Sequence, residues 1–398
     1  MKFTKNTLLL ISISISISIF IFILATLIYN QSNQSNQLNQ SDQITLSRNT
    51  LSQKTYYKCN TKHNPPTENI LETNNFTRKH TLSSTQQPDL YIPCGYGNAE
   101  LELFNLPREQ VTQTKIFAIS GCDILAGKDT LWQTLEKVYS RDGAKLLMPE
   151  TYITKSANDL DLLKRFYYPE NIYVLKKNIQ RKEGLLILDN LMNILATIKR
   201  NPRYVIIQHY ITNPFLIQKR KLNIRLYIAV VCTLSSGVKA YLYTKGKCIY
   251  TNQEYDPNDI TNSEAHLTSL NLDAQIYNHL PETLTELQNY LGQVAYNSIW
   301  QKIIYKLKKI FFAIQKEKAI CQDIKGTMNF QLFGVDVMLD DAMEPWILEF
   351  NKGPDMSYKT QKDEKLKQNL YQDLFCLVDL VNDTEKCSSI AENWRLIK

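Results

Sequence analysis

Apolar and polar positions change period several times along this chain. Five runs cluster or alternate as strands do, at 171–176, 185–188, 203–210, 222–233 and 238–244. Between 282 and 318 the period lengthens to that of a helix. There Trp300, Ile303, Ile304, Leu307, Phe311 and Ile314 share one face, while Lys302, Lys306, Lys308, Lys309 and Lys316 fall largely off it. That pattern predicts a core stripe backed by a solvated basic face. A short strand is predicted at 116–119, then a helix with Leu131, Leu135, Val138 and Tyr139 on one face, opened by a capping box at Thr130 to Gln133. Near the end two apolar strands, 333–339 and 346–351, flank a polar turn containing Pro345.

The N-terminal pattern is of another kind. Residues 7–29 are uncharged and mostly apolar, long enough to cross a bilayer as a helix. The Ile-Ser alternation at 11–19 mimics a strand, but an open strand cannot satisfy its backbone in lipid. A cleaved signal peptide normally has a shorter apolar core, so an uncleaved anchor is expected. Lys2 and Lys5 precede the span within a tail at 1–6, and the next cation is Arg48. The positive-inside rule then places the folded part on the lumenal or exoplasmic side. Residues 30–43 are rich in Gln, Asn and Ser, and 30–86 as a whole reads as a polar tether. Asn-x-Ser/Thr sequons occur at Asn30, Asn33, Asn39, Asn75 and Asn382 and have meaning only in a lumen. Beyond the tether, 87–170 is expected to lead into a catalytic region at 171–382, with a tail at 383–398.

A chain of 398 residues, 43% hydrophobic and 21% charged, is ample for a sizeable core. Its net charge of +7 suits an acidic partner. No basic run with interleaved aromatics points to nucleic acid. The eight cysteines form no Cys-x-x-Cys and lack histidines at zinc-finger spacing. Most read as buried free thiols, with room for one or two disulfides.

Three stretches carry polar groups where a buried strand should not. Asp336 alternates with Val335 and Val337, and Glu349 and Asn351 share the face opposite Trp346, Leu348 and Phe350. If the turn spans Asp340 to Pro345, Asp336 faces Glu349 across the pair. Like charges so placed destabilise a sheet, and a hard divalent cation between two carboxylates and an amide removes the conflict. The alternative is a solvated hairpin face. Lys221, Asn223 and Arg225 line one side of a strand and Leu222, Ile224 and Leu226 the other, a cation–amide–cation row that suits ribose and phosphates. Lys176 ends an apolar strand and precedes a basic loop and Gly184. By contrast, the loop from Gly121 to Lys128 fails as a phosphate loop. Its glycines are one residue too far apart, and Asp129 stands where Ser or Thr is required, so it reads as a loop entering a helix.

Together these pieces resemble the tubulin–tyrosine ligase-like family over about 147–356, with weaker likeness from about 116. The motifs are Met148 to Tyr152, Lys176, Ile207 to Tyr210 with Asn213-Pro214, Lys221 to Arg225, Tyr241 to Tyr243, His266 to Thr268, Phe333 to Asp336 and Trp346 to Asn351. The resemblance implies an α+β, ATP-grasp fold with mixed and antiparallel sheets and flanking helices, here preceded by a transmembrane helix. It implies ATP and Mg²⁺ as cofactors, a free amino acid as substrate, and an acidic protein acceptor such as a tubulin tail. Lys176 would meet the phosphates, and Gln208, His209, Tyr210 and Ile211 would flank adenine. Lys221 and Asn223 would sit by the ribose, Arg225 by the phosphates, and His266, Thr268 and Ser269 near the γ-phosphate. Asp336, Glu349 and Asn351 would hold Mg²⁺, and Arg225, Lys176 and Glu349 would carry catalysis.

The chain departs from the family pattern in four places. Asn223 replaces a usual Asp, Ser269 replaces a usual Asn, and the loop after Lys176 is shorter and poorer in glycine. Ile249 falls where many members have a phosphate-contacting arginine, which Lys245 or Lys247 would have to replace. Three readings follow: a ligase acting on tubulin, a ligase acting on another acceptor, or an anchored nucleotide-binding protein without turnover. The first would require the cytosolic side and so leaves the side of the membrane open, whereas the lumenal side would favour the second.

Overall fold

A computed structural model of the chain describes residues 53–58, 65–95, 97–179, 184–268 and 272–398. The expected anchor at 7–29 and Ser269 lie outside these residues. Among them no helix is long and apolar enough to cross a membrane.

Among the described residues, fifteen strands form two sheets. The first four, β1 (Thr55–Lys58), β2 (Thr77–Lys79), β3 (Leu90–Ile92) and β4 (Lys115–Ile116), join side by side in parallel. A small antiparallel sheet follows, built from β5 (Thr151–Ile153), β6 (Tyr173–Lys177), β7 (Leu185–Leu188) and β8 (Tyr204–His209) in the order β5-β8-β6-β7. The chain then re-enters the large sheet through β9 (Leu216–Ile217), β10 (Arg220–Thr233), β11 (Gly237–Tyr243), β12 (Lys247–Tyr250), β13 (Met328–Leu339), β14 (Pro345–Asn351) and β15 (Trp394–Leu396).

β10 is long enough to use two partners along one edge. Its first half pairs with β12 and its second with β11, while β13 runs along the other edge. Alternation along β10 puts Leu222, Ile224, Leu226, Ile228 and Val230 into one core cluster with Ile303, Ile304, Leu307, Ile310 and Phe311 of the helix Gln293–Lys316. Each of those side chains contributes roughly 1.5–3 kcal/mol on burial. The opposite face carries Tyr227, Ala229 and Val231 into a second cluster with Leu370, Tyr371 and Leu374 of the helix Gln361–Leu377. The small sheet packs Tyr152, Tyr173, Leu175 and Ile207 against Leu163 and Ile194 of the helices Ala157–Phe166 and Leu191–Arg200.

The fold corrects several sequence expectations. The tether read at 30–86 is folded at 55–58 and 65–79, because β1 bridges β2 and β3 and Tyr56, Leu71 and Phe76 enter the core. The tail read at 383–398 ends in β15, which pairs with β11. Lys306 is no solvated lysine. It is buried, 2.8 Å from Glu344 and stacked over Trp346, so it pins the β13–β14 turn. Thr130 is not an N-cap, since the helix Lys128–Lys145, kinked at Ser140, starts two residues earlier. Its first backbone amide is satisfied from elsewhere, by the Asn178 side chain at 3.0 Å.

Candidate active site

Beside the small sheet, the strand face of β10 changes character. Before Tyr227 it presents Lys221, Asn223 and Arg225 to a cleft that mixes apolar walls with a few convergent charged groups, as small-molecule sites do. β6 and β7 contribute Val174, Lys176 and Leu185, and the end of β8 contributes Gln208 to Ile211. Ile249, Asp336, Met338, Leu348, Glu349 and Asn351 line the other wall.

On that wall Asp336 lies directly across the ladder from Glu349. The register then slips by one residue between Asp336 and Val337, so Val337 pairs with Ile347 and Leu348 is the extra residue of a β-bulge. The face expected for Trp346, Leu348 and Phe350 is thereby split. Ile347 and Phe350 enter the core, whereas Leu348 turns to the cleft beside Glu349. Asn351 Nδ2 lies 3.4 Å from Asp336 and 3.3 Å from Glu349, which closes a three-residue oxygen-bearing cluster once its amide oxygen is turned inward. Burial pushes Asp336 upward; Arg225 opposes this, and Glu349 adds to it. Arg225 binds Asp336 through Nε at 2.6 Å and a terminal nitrogen at 3.2 Å. Gly334 packs closely beside it; a Cβ there would stand 3.1 Å from Pro354 Cβ and 3.3 Å from Arg225 Cδ, so one of them would have to shift slightly. An opposed, buried pair of carboxylates with one amide fits Mg²⁺, a hard cation that prefers oxygen.

Four cations line the cleft: Lys128, Lys176 and Arg225 by the acids, and Lys221 farther across. Lys128 was missed by sequence reasoning. It starts a helix, donates to the Ile179 carbonyl at 3.3 Å, and lies 3.1 Å from Glu349 Oε2. The loop before it is a loop entering a helix, as read, but the Gly127-Lys128 step at the helix start was the signal that the cation was placed. Burial would raise Glu349, yet Lys128, Lys176 and Arg225 outweigh it and hold the carboxyl at about 2. Burial lowers Lys176 to about 8, with Glu349 opposing and Lys128 adding to the fall. It lowers Lys221 to about 7, with Lys176 adding to the fall. Two carboxylates against four cations leave an excess of positive charge, which a polyphosphate carrying one divalent cation would balance.

At the other side of the cleft, Lys221 Nζ donates to the Tyr210 hydroxyl at 2.6 Å, and that hydroxyl lies 2.6 Å from His266 Nδ1. His266 Nε2 is 3.0 Å from the carbonyls of Asp256 and Asp259, so it must be the protonated nitrogen and Nδ1 the acceptor. Burial and nearby Lys221 lower its pKa, against the Asp256 and Asp259 carbonyls and the Asp259 charge, and the net fall favours the neutral imidazole. Gln208 is held by Thr151 Oγ1 at 2.8 Å and the Pro149 carbonyl. Asn223 lines the cleft, and its buried Oδ1 has no hydrogen-bond partner among the described residues. Leu267 and Thr268 complete the lining. Ile249 pairs with Asn223 and faces the cleft, as an arginine there would. Neither expected substitute lines the cleft. Lys245 is exposed, and Lys247 is tied to Asp363 at 2.5 Å and Glu282 at 3.8 Å.

The mixed α+β architecture with this cleft fits an ATP-grasp-like domain. The chain belongs to the tubulin-tyrosine ligase family, whose model matches residues 108–387. It is similar to the human tubulin monoglutamylase TTLL4, at 26% identity over 345 residues, 78% of this chain and 28% of that protein. It is similar to tubulin glycylase 3C of Tetrahymena thermophila, at 28% over 221 residues, 52% of this chain and 20% of that protein. It is also similar to the probable tubulin polyglutamylase TTLL2 of Mus musculus, at 25% over 291 residues, 67% of this chain and 52% of that protein. The chain thus spans between about a fifth and a half of the length of these relatives.

Proposed function

We propose that this chain is an ATP-dependent carboxylate–amine ligase that adds an amino acid, glutamate before others, to a protein acceptor. The acceptor carboxylate would take the γ-phosphoryl group of ATP, releasing ADP. The incoming amine would attack the acyl carbon, expel phosphate and lose a proton. The observation that carries this reading is the meeting of Asp336 and Glu349 with Lys128, Lys176, Lys221 and Arg225 in one cleft. Asp336, Glu349 and Asn351 would hold Mg²⁺, which when bound supplies charge neutralisation on phosphate oxygens. Lys176 and Lys128 would sit against the phosphates, and Arg225, braced on Asp336, against the transferring group. Asn223 Oδ1 would accept from a ribose hydroxyl, and Val174, Leu185, Met338 and Leu348 offer apolar surface to a flat base. The relatives' printed names give tubulin as their substrate, so tubulin is the first acceptor to try.

Ile249 in the cleft wall favours a second reading, nucleotide binding without turnover. Both are tested by incubating the full chain with ATP, Mg²⁺, radiolabelled glutamate and tubulin or membrane protein. Incorporation by wild type and its loss in Glu349→Gln supports the ligase. Equal incorporation by both removes the assignment, and Mg²⁺-dependent ATP binding without incorporation establishes the second reading.

A further inference from the structure

Cysteine pairing carries information that the cleft does not. Of the seven cysteines among the described residues, five are in disulfides: Cys232 with Cys321, Cys376 with Cys387, and Cys94. The two free thiols, Cys122 and Cys248, are buried, and burial pushes both upward, away from the reactive thiolate. The pairs are not sequence neighbours thrown together. Cys232 belongs to β10 and Cys321 follows the helix Gln293–Lys316, 89 residues later, with Cα atoms 6.0 Å apart. Cys376 lies in the last turn of the helix Gln361–Leu377, and Cys387 lies 11 residues on at a Cα separation of 5.6 Å. Both separations lie in the range that bridged cysteines require. The second bridge closes the loop that leads the chain to β15, and that loop carries the sequon at Asn382, exposed beside exposed Thr384. The other sequon among the described residues, Asn75, is exposed in the turn between the helix Pro65–Thr73 and β2, with φ at +61°.

Five bridged cysteines in one domain, one pair of them 89 residues apart, are rare in a reducing cytosol and ordinary in secreted or lumenal proteins. We propose that the folded region is a disulfide-bonded domain of an oxidising lumenal or exoplasmic compartment, N-glycosylated at Asn75 and Asn382. Bridge formation is the two-electron oxidation of paired thiols by the oxidising thiol–disulfide machinery of such a compartment, with loss of two protons per pair. The sequence expectation for the side reached by residues beyond 29 points the same way. If the ligase reading also holds, the acceptor is a protein of that compartment and cytosolic tubulin is out of reach.

The test reads mass and mobility rather than activity, so its failure is separate from failure of the ligase reading. The full chain is expressed in a eukaryotic cell, thiols are trapped with N-ethylmaleimide before lysis, and non-reduced peptides are mapped. The expected result is linked peptides for Cys376–Cys387 and Cys232–Cys321, with no alkylation at these four positions. An N-glycosidase is expected to shift the protein, and Asn75→Gln and Asn382→Gln each to remove one step of that shift. Alkylated Cys376 and Cys387, no glycosidase shift, or a shift unchanged by both substitutions overturns the proposal.

Discussion

Lys128 Nζ stands 3.1 Å from Glu349 Oε2, joining the first turn of a helix to β14. The lysine side chain is 6% exposed and the glutamate 22%, so the pair is largely shielded from solvent. Removing one partner of such a pair leaves a charge without cover and costs about 3 kcal/mol, whereas removing both costs far less. Lys128→Ala should therefore destabilise the domain in denaturant unfolding, and Lys128→Ala with Glu349→Gln should recover at least about 1 kcal/mol relative to additivity. Additive behaviour would show that the two residues do not act as a pair.

The depressed lysines give nucleotide binding a pH dependence of known sign. In the free protein Lys221 is held at about 7, below its ordinary value of 10.5, so the folded state binds fewer protons than the unfolded chain between those values. Its contribution to stability consequently rises with pH across that window. A bound polyphosphate favours the charged lysine, so binding takes up a proton, and ATP affinity should fall as pH climbs from 7 to 9, by up to about tenfold per unit. Calorimetry in two buffers of different ionisation heat measures the uptake directly. Lys221→Met should remove its share, and absence of uptake at pH 8 in wild type would contradict the placement.

How much of this was legible beforehand differs from residue to residue. The opposition of Asp336 and Glu349 could be read from strand alternation and an assumed turn, and the ladder has it. Lys221, Asn223 and Arg225 could be assigned to one face for the same reason. Leu348 could not, because a bulge breaks the two-residue period and no local residue announces it. Lys306 looked like a surface lysine until its partner, Glu344, was placed by a hairpin far along the chain. Lys128 was lost because its loop was judged against a phosphate-loop pattern, while its backbone is anchored by Asn178, in the loop after β6 and 50 residues away.

Asn223 Oδ1 is a buried acceptor without a donor. An unpaired group of this kind costs about 1–3 kcal/mol, a cost a ligand donor would relieve. Asn223→Leu should leave the free protein as stable as wild type or slightly more so, while weakening ATP binding about tenfold. Thermal unfolding with and without ATP separates the two effects. A variant that unfolds early but binds normally would assign Asn223 to the scaffold instead.

The crowding of Asp336 and Glu349 predicts a response to divalent cations. Mg²⁺ with ATP at a hundred times its Kd should stabilise wild type by about 2.7 kcal/mol. Glu349→Gln should lose most of the Mg²⁺-dependent part of that increment, whatever its own baseline stability. A full increment in the variant would leave the acid pair without a role in cation binding.

Ile249 allows the last question, whether the cleft lacks a cation or has moved one, to be put directly. It pairs with Asn223 and faces the same cleft as Lys128, so an arginine there would approach the same ligand from a strand rather than a helix start. If Lys128 already supplies the charge, Ile249→Arg should change ligase turnover less than about tenfold, whereas Lys128→Ala should lower it about a hundredfold, the usual cost of one electrostatic contact to the reacting group. Combining the two should then restore much of the lost turnover, because a cation at 249 takes over the load. A large gain from Ile249→Arg alone would show instead that Lys128 serves only to hold Glu349, and that this cleft binds nucleotide without the charge that turnover needs.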